Sequence, residues 1–118
     1  MGPDAPLEID GIDTESGVKR LGGKRERYES LLRKFAAKQS GSVVAVRTAL
    51  AAGDHAGAER ELHSLKGAAG SLGAIAIAER VAECENALKE GGDVEPSLNT
   101  LEESLAASVA AIRSRLPE

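Results

Sequence analysis

Glu61-Leu62-His63-Ser64-Leu65-Lys66-Gly67-Ala68-Ala69-Gly70-Ser71-Leu72-Gly73 carries two patterns at once. On a helix advancing about 100° per residue, Ala58, Leu62, Leu65, Ala69 and Leu72 fall within about 80° of one another and form an apolar stripe. His63 lies off that stripe: Lys66, Gly67 and Gly70 sit within about 60° of it, and the stripe is centred about 140° away. The spacing predicts a helix with one buried face and, opposite it, an exposed imidazole ringed by a cation and two residues without side chains. Glycine inside a helix costs about 1 kcal/mol relative to alanine, so its recurrence at 67 and 70 needs a reason. Two reasons fit. The glycines leave the ring open to a bulky partner while Lys66 neutralises a dianionic group carried on it, or they permit close packing against a neighbouring helix and Lys66 is a solvated charge.

The punctuation on either side extends the helical reading. No proline occurs between Leu7 and Glu95, so glycine clusters are the strong breaks. Asp13 or Thr14 caps a short helix ending at Leu21 before Gly22-Gly23. A second runs from Lys24 to Ala37, with Tyr28, Leu31, Leu32 and Phe35 as its apolar stripe. Ser40 or Ser42 caps a third through Ala52, Asp54 caps the histidine helix through Leu72, and Ala74 to Glu90 forms the next before Gly91-Gly92. The last begins at Asp93, tolerates Pro96 in its first turn, and carries Leu98, Leu101, Leu105, Val109 and Ile112 at intervals of three or four. Short connections between long helices imply an all-α fold: an antiparallel up-down four-helix bundle with a short additional N-terminal helix. Residues 1–9 read as a disordered lead and 10–116 as the domain.

Composition narrows the function. The 118 residues, 42% hydrophobic and 29% charged, suit a single core, and with one Tyr, one Phe and no Trp that core is built from Ala, Leu, Val and Ile. A net charge of −4 argues against a dedicated nucleic-acid binder. The charge is uneven: residues 18–38 hold Lys19, Arg20, Lys24, Arg25, Arg27, Arg33, Lys34 and Lys38 against Glu26 and Glu29, whereas 79–103 are mainly acidic. That asymmetry is either two solvated faces or a means of orienting a charged partner. A single Cys, no zinc-module spacing, no membrane-length apolar run and no signal-peptide pattern give the expectation of a soluble, cytoplasmic protein without a metal, and a closed bundle with no helix face unpaired gives that of a monomer.

The run from His63 to Ala74 resembles the signature of histidine phosphotransfer (HPt) domains, the relay modules of multistep two-component signalling. The likeness extends to Gly11-Ile12-Asp13 through Gly22-Gly23, to Tyr28 through Phe35, to Gly53-Asp54 with Ala58-Glu59-Arg60, and to Ala78-Glu79 with Cys84-Glu85. Cys84 departs from the family, which more often has Leu there; a buried Cys acts as a small apolar residue. The resemblance implies that His63 accepts a phosphoryl group from the aspartyl phosphate of one receiver domain and passes it to an Asp of another, with Mg²⁺ supplied by the receiver and no cofactor of its own. It further implies that Lys66 stabilises the phosphate, that Glu85 faces and orients the imidazole, and that Arg60, Gly67, Gly70 and Ser71 belong to the partner-facing surface. Such a domain is a phosphocarrier without kinase activity.

Other chemistries fit less well. His55, Glu59 and His63 recur every four residues, but a drift of about 40° per step separates the outer pair and no fourth ligand follows. Cys84 sits at an apolar helix position, away from an outward-pointing histidine that could activate it. A helical interaction scaffold without phosphotransfer is the alternative, and a scaffold has no need of His63 beside Lys66 and Gly67.

Overall fold

The Asp13 carboxylate accepts the Ser16 N–H at 3.1 Å, and the Asp54 carboxylate accepts the Gly57 N–H at 2.9 Å. Each aspartate satisfies a donor that the first turn of a helix leaves unpaired, so each fixes where a helix starts. The computed structural model describes Glu8, Ile9 and residues 11–116. Within them run α1 (Thr14–Arg20), α2 (Arg25–Gln39), α3 (Ser42–Ala51), α4 (His55–Leu72), α5 (Ile75–Glu90) and α6 (Glu95–Arg115). Gly73 and Gly91 close α4 and α5 with φ of 80° and 72°, a left-handed conformation that side chains disfavour.

Six helices give four arms. α2 and α3 barely touch each other, yet both lie against α4 and α6. At Ser40 the backbone stays right-handed helical (φ −58°, ψ −25°), so the chain bends there without turning back. The bend buries a polar pair, with the Ser42 hydroxyl donating to the Gln39 side-chain carbonyl. The bent α2–α3 arm, α4, α5 and α6 form the antiparallel bundle, and α1 is the short attached helix. Its centre holds Tyr28, Leu32, Val46, Leu62, Leu65, Ile77, Val81, Cys84, Leu98, Leu101 and Ile112, all fully buried. Each large aliphatic side chain contributes about 1.5 to 3 kcal/mol through burial. On the surface Arg47 ties α3 to α6, bonding Glu95 at 3.0 Å, Asn99 at 2.7 Å and Glu102 at 2.8 Å.

The attachment of α1 and α2 follows from the end of α4. The last carbonyls of a helix lack partners within it. Here the Tyr28 hydroxyl donates to the Leu72 carbonyl, the Asp13 N–H to Gly73 at 2.7 Å, and the Arg20 guanidinium to Gly70 at 2.6 Å. Close approach is built in: a Cβ on Gly17 would lie 2.3 Å from the Tyr28 ring, and one on Gly73 would lie 2.3 Å from the Asp13 carbonyl. Ile9, placed by the sequence in the lead, is 5% exposed and joins the core. Residues 1–7 of that lead lie outside the described residues.

Tyr28→Phe removes the donor to Leu72, and a loss of about 1 to 2 kcal/mol in urea unfolding is expected. Burial, with a smaller contribution from the Asp13 carboxylate, pushes the Tyr28 hydroxyl from 10.0 up to about 12. A folded-state pKa above the unfolded one means that this stabilisation is complete below pH 10 and is lost as pH rises through about 12. Melting temperatures across that range should therefore fall more steeply for wild type than for Tyr28→Phe.

Candidate functional site

The rotation of α4 decides what it shows to solvent. Ala58, Leu62, Leu65, Ala69 and Leu72 are each at most 6% exposed. The opposite face carries His63, Lys66 and Gly67, all exposed, and the half-buried Gly70. Among the described residues no hydrogen bond engages the His63 ring. An open, unpartnered imidazole leaves a ring nitrogen accessible as a nucleophile.

The two glycines do not serve helix packing. Among the described residues, a Cβ built on Gly67 or on Gly70 would meet nothing within 4 Å. Their backbones are nonetheless engaged, since the Ser71 hydroxyl donates to the Gly67 carbonyl at 2.9 Å and Arg20 reaches the Gly70 carbonyl. Beside this face, α4 and α5 enclose a groove of about 810 Å³ lined by Arg60, His63, Lys66, Ala82, Glu85 and Asn86, among others. A second depression, bounded by Arg20, Gly70, Ile75 and Ala78, shares Ala82 with the first. Ala82, which lines both depressions, and Ala78, one turn before it on α5, present only small side chains there.

Glu85 lines the same groove as His63, but no hydrogen bond joins it to the ring. The Glu85 carboxylate accepts from the Lys66 ammonium at 3.2 Å. The pairing follows from charge: an ammonium one turn along α4 is a strong, charge-assisted partner for a carboxylate. Both members of the pair are partly exposed, Lys66 at 47% and Glu85 at 28%. Arg60 lies on the groove wall close to His63, and Ser71 is exposed on the neighbouring part of α4.

Other candidates fall away on geometry. Among the described residues, no three His, Cys, Asp or Glu side chains are grouped to hold a metal ion, so His55, Glu59 and His63 form no ligand set. Cys84 is fully buried, and burial, aided by Glu83 and Glu85, pushes its thiol up to about 11. It stays protonated at neutral pH and is no nucleophile. The sequence reading missed Arg20, whose approach to Gly70 spans 50 residues and leaves no local signal. It also missed Asn86 and Lys89 on the groove wall; Lys89, one turn beyond Glu85, was within reach of a helical-spacing argument.

Comparison with known protein families matches residues 30–115 to the Hpt domain. No curated protein and no solved structure matches the chain. The matched segment runs from within α2 to the end of α6, includes all of the histidine helix, and covers well over half of the sequence. The chain belongs to the Hpt domain family, the helical histidine phosphotransfer modules of two-component phosphorelays.

Proposed function

We propose that His63 is the phosphoacceptor of this domain, taking a phosphoryl group from a receiver-domain aspartyl phosphate and giving it to the Asp of another receiver. The observation that carries this reading is an exposed, unpartnered imidazole with Lys66 one turn away and open space above Gly67 and Gly70. In the transfer, the lone pair of one ring nitrogen forms the N–P bond as the P–O bond to the aspartyl carboxylate breaks. The carboxylate leaves with the bonding electrons, and the proton on the other ring nitrogen is released to water as the ring returns to neutrality. The onward step is the reverse, with an Asp carboxylate as nucleophile.

Phosphoryl transfer depends chiefly on in-line positioning and charge neutralisation. Lys66 supplies positive charge near the phosphoryl oxygens, and the receiver brings its Mg²⁺ and acidic pocket. The grooves beside α4 and α5 give the receiver room to bring its Asp to the ring, with Arg60 on the wall and Ser71 exposed on α4, and Ile75, 53% exposed, offers an apolar contact. The protein acts as a carrier with no kinase activity of its own, as a monomer, in the cytoplasm.

Incubation with a panel of labelled, phosphorylated receiver domains should transfer acid-labile label to the wild type and none to His63→Gln. Because an exposed side chain carries little stability, His63→Gln should keep the circular dichroism of the wild type. Label retained on a folded His63→Gln protein would move the acceptor elsewhere, to His55 first of all.

Gly67→Leu separates access from packing. With nothing within 4 Å of the added Cβ, it should raise helix stability by a sizeable part of about 1 kcal/mol. It should also slow transfer by standing between the ring and the receiver. A raised melting temperature together with wild-type transfer would refute the access argument.

A further inference from the structure

The Lys66–Glu85 pair crosses from α4 to α5 and occupies the ammonium that the proposed phosphoryl group would need. Resting on the assignment of His63 as acceptor, we propose that Glu85 is a positioning residue that acts through Lys66, holding the ammonium beside the empty ring and competing for it once His63 is phosphorylated. Three observations support a competition. Lys66 lies about 60° from His63 on the same helix face, so its flexible stem serves either side. Among the described residues its partner is the Glu85 carboxylate at 3.2 Å. No hydrogen bond joins Glu85 to the His63 ring, so Lys66 is the contact through which Glu85 acts.

The consequence is a tuned phosphohistidine. A phosphoryl group on His63 carries close to two negative charges and draws Lys66 away from a carboxylate that carries one. The attraction lost at Glu85 is subtracted from the stability of the phosphorylated state, which favours passing the group onward. The effect is modest because both side chains are partly exposed, and exposed pairs are weakened by water and salt.

The test is the equilibrium constant for phosphoryl exchange with one receiver domain phosphorylated by acetyl phosphate, measured for wild type, Glu85→Gln, Lys66→Ala and the double variant. Glutamine keeps the shape of glutamate, and matched melting curves exclude a folding defect. Glu85→Gln should shift the equilibrium toward the phosphorylated protein by about two- to five-fold, and this shift should vanish in the Lys66→Ala background. A shift of equal size in that background would show direct repulsion between carboxylate and phosphoryl group and overturn the proposal, as would no shift or a shift toward the receiver. A wild-type protein that takes no label at all overturns the relay assignment itself, and the proposal with it.

Discussion

Burial of Ala58, Leu62, Leu65, Ala69 and Leu72 sets the rotation of α4, and the rest of the site follows from that angle. With those five side chains inside, the helix has no freedom to hide His63, Lys66 or Gly67. The same contacts that stabilise the bundle therefore aim the imidazole at solvent. A turn of α4 by one residue, about 100°, would expose leucines and bury charges, each change costing several kcal/mol.

The far end of α4 is held by a different kind of interaction. Helix termini leave carbonyls that need donors, and this chain supplies them from its N-terminal segments: Asp13, Arg20 and Tyr28. Gly17 and Gly73 make room for those approaches. The link between α1 and the functional face is thus physical, since Arg20 ends at the Gly70 carbonyl on the helix that carries His63.

Most helix limits were legible because capping and termination are local. Asp54 and Gly73 bound α4 as their chemistry requires, and α6 begins at Glu95 where an Asp93 start was expected because the Asp93 carboxylate accepts the Glu95 N–H at 3.1 Å from just outside the helix. The exposed position of His63 was equally readable from helical periodicity. Partnerships across the bundle were not. Glu85 is paired with Lys66 rather than with the ring, and nothing in the spacing of one helix states which side chain of the next it will meet. The two explanations for Gly67 and Gly70 could be separated only once the neighbours of each glycine were placed. Ile9 likewise is buried in the core, which its place in the lead does not announce.

The central claim, that α4 presents one particular nitrogen heterocycle for phosphoryl transfer, is tested most directly by locating the group after equilibration with a phosphorylated receiver. Cleavage after Arg60 separates His55 from His63, so tandem mass spectrometry under mildly alkaline conditions can assign the modification to one histidine. The account predicts a phosphoryl group on the fragment that begins at Glu61 and contains His63, and none on the fragment that contains His55. Phosphoryl on the His55 fragment, or on neither, would contradict it.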